Sequence, residues 1–174
     1  MHSSQTWPHD LMVCALLVLG GCGGTDSANK ASTADASAAS NGELDRCTLL
    51  TKDEVAKVVG PHDGGSTGLS NSWGTRSCRW TATRAQKIEG FPQWHDAVEV
   101  AVFEADEVPM VRQQVKGDPV DGVVPGATYD QSYGDLWFDC SGNRLCAVKV
   151  RTATGDGRKD TASGLARLVA SRLH

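Results

Sequence analysis

The sequence has no block of lysine and arginine and no stripe in which basic residues alternate with aromatic ones. Its 17 Lys and Arg residues and 21 Asp and Glu residues are spread along the chain, and the formal net charge is -4. Proteins that bind nucleic acid, or that dock by charge onto anionic lipid, concentrate basic residues on one surface. The composition therefore argues against a nucleic-acid partner and against electrostatic docking on a membrane.

The sequence also has no apolar run long enough to cross a bilayer as a helix. The longest run covers residues 11–21, about half of the roughly 20 residues that a spanning helix needs. It ends in Leu19-Gly20-Gly21-Cys22, which looks like a lipobox, and small residues at its exit are typical of a secretory signal. Asp10 and the lack of Lys or Arg before the run depart from the usual positive start of such signals. The alternative is a short buried core helix with a chance Gly-Gly-Cys.

These features predict a signal peptide over residues 1–21 and a mature chain that begins at Cys22. Diacylglycerol attached to the Cys22 thiol would anchor the chain to the outer face of the cell membrane through acyl chains such as palmitate. Residues 22–45 are rich in Gly, Ser, Ala and Thr and carry almost no large apolar side chain. Such a segment cannot offset the entropy of ordering, so we expect a disordered tether. Residues 46–174 suffice for one extracytoplasmic domain.

The cysteines of this domain have no Cys-x-x-Cys pair, and His62 and His95 have no partner at ligand spacing, so the sequence favours neither a zinc site nor another metal or cofactor. With Cys14 in the signal and Cys22 at the anchor, four cysteines remain, and an even number in an exported domain predicts two disulfides. Three pairings are open. A three-residue hairpin loop at residues 142–144 would place Cys140 directly opposite Cys146, close enough for a disulfide. This geometry favours a Cys140–Cys146 bridge, which leaves Cys47 to pair with Cys78.

A capping box predicts the first helix of the domain. Thr51 is followed three residues later by Glu54, Leu50 and Val55 occupy the positions of a hydrophobic staple, and Gly60 suits the C-terminal cap. We expect a two-turn helix between these caps.

Two more helices follow from periodicity and end signals. Residues 107–116 carry apolar side chains at helical spacing, with Pro109 in the first turn. A C-terminal helix is expected from Thr161, with Asp160 and Arg172 placed to complement its dipole. Its expected apolar side consists of Ala162, Leu165, Leu168, Val169 and Leu173.

Period-two alternation predicts the strands of an antiparallel sheet. Val98, Val100 and Val102 are expected to face the core and Glu99 to face water, whereas residues 62–74 are expected to form a loop. Paired strands with helices between them indicate an α+β fold, a single domain with helices packed mainly on one face of the sheet. The predicted strands cover residues 77–83, 97–103, 127–129, 136–140 and 145–151.

Two motifs resemble a known family. The opening Cys47-Thr48-Leu49-Leu50-Thr51 and the later Cys78-Arg79-Trp80 are similar to the Cys-x-Leu-Leu-Thr and Cys-x-Trp motifs of actinobacterial lipoproteins grouped as a domain of unknown function. The resemblance extends from Cys47 to the C-terminal helix. It implies a cell-envelope lipoprotein without established activity, and it supplies no catalytic residues.

Candidate catalytic groups have simpler explanations. Gly64-Gly65-Ser66-Thr67-Gly68 matches Gly-x-Ser-x-Gly, but it lacks the preceding strand and following helix of a nucleophile elbow. His95 next to Asp96, and His62 next to Asp63, are interpreted as polar loop residues, because neighbours in a strand point to opposite sides. The carboxylates of Asp130, Asp135 and Asp139 lack calcium-loop spacing and are expected to be solvated. We predict that the protein is not an enzyme.

The tryptophans are the most promising functional residues. Trp137 alternates with Leu136 and Phe138, so either it or these neighbours must leave the main core face. Trp73 and Trp94 lie in loop-like segments. Together with Tyr129 and Tyr133, exposed aromatics of this kind line ligand grooves and interfaces, although they also pack at core edges.

The resulting hypothesis is a non-catalytic binding module for an envelope protein, a lipid or a wall component, with Trp73, Trp94 and Trp137 as its binding surface. The alternatives are a small envelope hydrolase or transferase, and a structural surface lipoprotein without a ligand.

Overall fold

A computed structural model describes residues 44–173 of the chain. The predicted signal peptide, Cys22 and most of the predicted tether lie outside these residues. Two residues assigned to the tether do make domain contacts: Leu44 packs partly buried against the core, and the Asp45 carboxylate accepts a hydrogen bond from the Cys47 amide. No helix within the described part of the chain is long and apolar enough to cross a membrane.

Residues 44–173 form three α-helices, two short 3₁₀ helices and nine strands. The helices are α1 (Lys52–Val59), α2 (Val108–Arg112) and α3 (Arg158–Arg172), and the 3₁₀ helices cover Arg46–Thr48 and Gly74–Arg76. The strands are β1 (Ser66–Thr67), β2 (Ser77–Thr81), β3 (Gln86–Ile88), β4 (Phe91–Trp94), β5 (Ala97–Phe103), β6 (Asp118–Pro119), β7 (Thr128–Asp130), β8 (Asp135–Cys140) and β9 (Arg144–Arg151).

Seven of the strands form one antiparallel sheet in the order β1-β2-β5-β9-β8-β7-β6. The long strands β5 and β9 lie at its centre and pair over their whole shared length, from Ala97 opposite Arg151 to Phe103 opposite Leu145. Strands β3 and β4 form a separate hairpin. The predicted α+β fold, with an antiparallel sheet and two disulfides in one domain, is confirmed.

The first face of the sheet carries the main core, beneath α1 and α3. Val98, Val100 and Val102 are fully buried there, as predicted from their alternation. Trp80 and Phe138 supply the largest buried rings, and the apolar side of α3 closes the layer. Alternation along each strand sends the intervening residues to the opposite face, which we call the second face.

The caps of α1 are those predicted. The Glu54 amide donates to the Thr51 hydroxyl, and the Glu54 carboxylate accepts from the Thr51 amide at 2.8 Å, which completes a capping box. Leu50 and Val55 are both buried. Gly60 ends the helix with a φ of 74°, a conformation that favours glycine.

The two disulfides join the predicted pairs, Cys47 with Cys78 and Cys140 with Cys146. The predicted hairpin register was wrong by two residues, because Cys140 pairs with Arg144, and Cys146 lies opposite Phe138. The loop is therefore 141–143, with positive φ at Gly142 and Asn143. Cys140 and Cys146 are diagonal neighbours on the same face, and their Cα atoms are still only 5.9 Å apart.

The helix bounds differ from the predictions at both later helices. α2 has only five residues, and Met110, expected on its apolar side, is 60% exposed, while Val111 and Val115 pack against the second face. α3 begins three residues before Thr161. Strands β1, β3, β4 and β6, of two to four residues each, were not predicted, whereas the equally short β7 was predicted at residues 127–129.

Candidate binding site

The second face of the sheet has an apolar end and a polar end. A buried cluster made by β5, β8, β9 and the segment around α2 forms the apolar end. Its buried members are Ala101, Phe103, Trp137, Leu145 and Ala147, with Trp73, Val108, Val111 and Val115 packed around them. Towards the other end of the same strands, the side chains become charged.

Trp73 and Trp137 meet at the apolar end, with ring centroids 5.4 Å apart in an edge-to-face arrangement. Trp137 also stacks on Phe103 at 5.7 Å. Trp137 is only 8% exposed, whereas Trp73 is partly exposed. Trp137 therefore forms the base of the site rather than an open contact surface, and Trp73 is its accessible neighbour.

Glu99 holds the backbone at Trp73 in place. It was predicted to face water, but it is 2% exposed. Its Oε1 accepts hydrogen bonds from the Ser77 hydroxyl at 2.6 Å and from the Trp73 amide at 3.2 Å. The prediction failed because it assumed a solvated second face, whereas the segment that carries Trp73 covers Glu99.

Lys149 and Asp135 form an ion pair beside Trp73, with 3.2 Å between Nζ and Oδ1. The ammonium group also lies over the Trp73 ring, 4.6 Å from its centroid. Asp135, expected to be solvated, is 8% exposed. Burial raises the pKa of Asp135, and the positive charge of Lys149 counteracts that rise.

Trp94 lies near the polar end of the same face, in β4 rather than in a loop as predicted. Arg151 lies over its ring, 4.9 Å from the centroid, and Phe91 packs against its edge at 5.7 Å. Arg151 and Lys149 are two residues apart in β9, so their side chains leave the sheet on the same side. Trp94 and Trp73 are thus each covered by a cation from the same strand.

Asp96 fixes the β3–β4 hairpin onto the sheet. The Trp94 indole N–H donates to its Oδ1 at 2.9 Å, the Ala153 amide to the same oxygen at 2.8 Å, and the Gln86 amide group to Oδ2 at 2.7 Å. Asp96 lies in the loop before β5, as predicted, but it is only 8% exposed and serves as a buried structural group. In the sequence, Asp96 is an ordinary polar residue before a valine-rich strand, so no local pattern predicted that it would attach the hairpin to the sheet.

Two cavities lie along the second face and share Tyr133. The smaller one, of about 330 Å³, contains Trp73, Trp137 and Asp135 in its lining. The larger one, of about 560 Å³, is lined on one side by Phe91 and Trp94. The three predicted tryptophans therefore do not form one continuous patch: Trp73 and Trp137 line one cavity, and Trp94 lines the other. Tyr133 is 65% exposed between them, and Tyr129 is buried in the main core.

Of the residues weighed for catalysis or calcium binding, Asp130 and Asp135 line the smaller cavity, whereas His62, His95 and Ser66 lie outside both cavities. His62 contacts the backbone carbonyl of Lys52 and accepts from the Gly64 amide, and His95 contacts the carbonyl of Ala82 at 2.7 Å. Ser66 is exposed on the two-residue strand β1. Within residues 44–173 no group of three or more His, Cys, Asp and Glu side chains is arranged to hold a metal ion.

Comparison with known proteins gives one match. Residues 17–169 match the model of a family described as protein of unknown function (DUF3558). The chain belongs to the DUF3558 family. No curated protein and no solved structure matched the chain. Membership of DUF3558 agrees with the resemblance to a family of unknown function, and it leaves lipidation and activity as predictions.

Proposed function

We propose that this DUF3558 protein is a lipoprotein of the actinobacterial envelope, anchored through Cys22 to the outer face of the cell membrane, that binds a ligand without transforming it. The apolar run, the Leu19-Gly20-Gly21-Cys22 motif and the polar segment that follows support the anchor. The family match begins at residue 17 and so includes this motif. The two disulfides also fit an oxidising compartment outside the cytoplasm.

The observation that carries the binding proposal is the pair of aromatic cavities that meet at Tyr133. Ligand sites in proteins are concave, combine apolar walls with a few polar groups, and measure about 300–1,000 Å³. Both cavities have these properties. Two buried carboxylates fix the positions of the tryptophans. Glu99 accepts a hydrogen bond from the Trp73 backbone amide, and Asp96 accepts one from the Trp94 indole N–H. Aromatic side chains fixed in this way lose little entropy on binding.

A binding role fits the described chemistry better than catalysis does. An active site brings an acid, a base or a nucleophile into mutual hydrogen bonding around one cavity. His62 and His95 instead contact backbone groups, and neither lines the two cavities.

Site-specific photo-crosslinking in the native envelope tests the binding role. The full-length protein would carry a benzophenone amino acid in place of Tyr133, with the same substitution at Leu69 as the control. Leu69 is 89% exposed and lies outside both cavities. We expect an adduct to form at position 133 and not at position 69. Equal labelling at both positions, or no adduct at 133, would contradict the proposal.

The anchor has a separate test. Intact-mass analysis of the protein extracted from its host should find a chain that starts at Cys22 and carries acyl groups. A Cys22→Ala variant should leave the membrane fraction. An unprocessed N-terminus in the unaltered protein would refute the anchor without affecting the crosslinking result.

A further inference from the structure

We propose that the larger cavity binds a ring-bearing anion, a molecule in which a carboxylate or phosphate group lies next to a sugar or aromatic ring. This inference rests on the proposed binding function and assigns it a class of ligand.

The cavity is lined by three cationic side chains and by no carboxylate: Lys149, Arg151 and Arg158. The charge of Lys149 is balanced by Asp135. Within the described residues, neither arginine forms an ion pair with a carboxylate. The chain as a whole carries a net charge of -4, so a cavity with two unbalanced guanidinium groups is a local exception. Such a site attracts anions and repels cations.

Arg151 and Arg158 both have N–H groups available to donate hydrogen bonds to a ligand. Arg151 lies over the Trp94 ring, and a guanidinium group in that position can still donate from its N–H edge. Arg158 donates from Nε to the Gly155 carbonyl at 3.0 Å, which leaves its terminal nitrogens for a ligand. Arg158 is also the first residue of α3, and Gly157 before it offers no capping side chain. Asp160 in the first turn already complements the positive end of the helix dipole, so the attraction of an anion depends on the guanidinium groups.

The aromatic side chains of the cavity favour a ligand with a ring. Phe91, Trp94 and Tyr133 line the same cavity, and Phe91 and Tyr133 are 57% and 65% exposed. Exposed aromatic faces beside guanidinium groups favour a flat or sugar ring that carries its negative charge at one end. A simple inorganic anion would leave these aromatic surfaces in water.

The test uses the full-length protein in detergent micelles and follows the indole N–H resonance of Trp94 by NMR. The probes are glucose as the neutral reference, glucuronic acid, glucose 6-phosphate and a uronic acid tetramer. We expect the anionic probes to shift the Trp94 resonance and to bind at least about tenfold more tightly than glucose, because charge-assisted hydrogen bonds are the strong ones. Tighter binding of the tetramer than of glucuronic acid would assign the site to a glycan chain, and the reverse order to a free solute.

Arg151→Gln and Arg158→Gln should each weaken binding of the anionic probes about tenfold or more. Arg84→Gln is the matched control, because Arg84 is exposed and lies outside this cavity, and it should leave binding unchanged. Thermal unfolding would verify that each variant is folded. Equal affinity for glucose and glucuronic acid would overturn the inference, as would unchanged binding in both arginine variants, or no shift with any probe at millimolar concentration. Crosslinking at Tyr133 would decide the proposed function independently of these outcomes.

Discussion

The indole N–H of Trp94 donates a hydrogen bond to Asp96 Oδ1 at 2.9 Å, two residues further along the chain. The same carboxylate accepts from Gln86 in β3 and from the Ala153 amide just after β9. One buried side chain therefore joins both strands of the hairpin to the centre of the main sheet. The position of Trp94 depends on this group, because the hairpin has no strand pairing with the main sheet.

Asp96→Ala should lower the free energy of unfolding by about 3 kcal/mol, since it removes the acceptor of three partly buried hydrogen bonds. Hydrogen exchange should also show faster exchange in residues 86–94 than in β5 and β9, because the hairpin loses its attachment. Asp106→Ala, at an exposed position, is the control and should change stability by less than about 0.5 kcal/mol. A loss of stability below about 1 kcal/mol for Asp96→Ala would mean that water molecules accept the hydrogen bonds in place of the carboxylate.

The ion pair between Glu54 and Arg172 should make stability depend on acid pH. The two side chains form paired hydrogen bonds of 2.7 and 2.8 Å that join α1 to the end of α3. The hydrogen bond from Arg172 lowers the pKa of Glu54 from 4.5 to about 2. Because the folded-state pKa lies below the unfolded one, this contribution is fully present above pH 4.5 and is lost as the pH falls from 4.5 towards 2.

Glu54→Gln isolates this effect, because glutamine preserves the capping box but carries no charge. The variant should be less stable than the unaltered protein by about 1 to 2 kcal/mol at neutral pH. The expected difference is small because both side chains of the ion pair are partly exposed to solvent, which screens their charges. The difference should shrink towards zero near the folded-state pKa of about 2. Urea unfolding of both proteins across this pH range measures it. A difference that stays constant with pH would contradict the role of the charge.

The two disulfides should differ in their contribution to stability. Cys47–Cys78 closes a chain segment of sequence separation 31, and Cys140–Cys146 one of 6. Loop-closure entropy in the unfolded state gives about 3.7 and about 2.3 kcal/mol, respectively. Replacing Cys47 and Cys78 by alanine should therefore cost more than replacing Cys140 and Cys146, as measured by urea unfolding without reductant. The reverse order would show that residual structure in the unfolded chain outweighs loop length.

Gly64 and Gly65 form a matched pair for alanine substitution. Both have positive φ, 94° and 86°, so alanine strains the backbone at either position. A Cβ at Gly64 would meet no atom within 4 Å, whereas a Cβ at Gly65 would overlap the indole ring of Trp80. Gly64→Ala should cost about 1 kcal/mol, and Gly65→Ala about 2 kcal/mol more. Thermal unfolding compares them, and equal losses would mean that Trp80 moves without cost. Within the Gly-x-Ser-x-Gly match, backbone conformation thus explains Gly64, and contact with Trp80 explains the intervening Gly65.

The sequence was most informative where a local pattern has one physical solution. The capping box at Thr51 and Glu54 predicted α1, because its two hydrogen bonds join residues only three positions apart. Alternating valines predicted β5 with its observed bounds. The cysteine pairs followed from the predicted hairpin that joins Cys140 to Cys146. The register of that hairpin was not predicted correctly, since a shift by two residues keeps the same faces buried.

The candidate site was predicted only in part. The sequence singled out Trp73, Trp94 and Trp137, but it did not show that Trp137 is nearly buried or that Trp94 lies apart from the other two. Arg151 and Arg158 were not singled out, because each looks like an ordinary polar residue in the sequence. Tyr133 was named among the exposed aromatics, and Asp96 was considered only as a neighbour of His95. Glu99 and Asp135 were predicted to be solvated, and both are covered.

The sequence by itself determined the elements whose signals are local: helix caps, alternating strands, cysteines suited to pairing, and the export motif that predicts the anchor. Only the tertiary structure decided what covers the second face of the sheet. Residues from the Trp73 segment, the β3–β4 hairpin and β9 meet there across long stretches of chain. Their hydrogen bonds and ring contacts arise from packing, and no periodicity in the sequence records them.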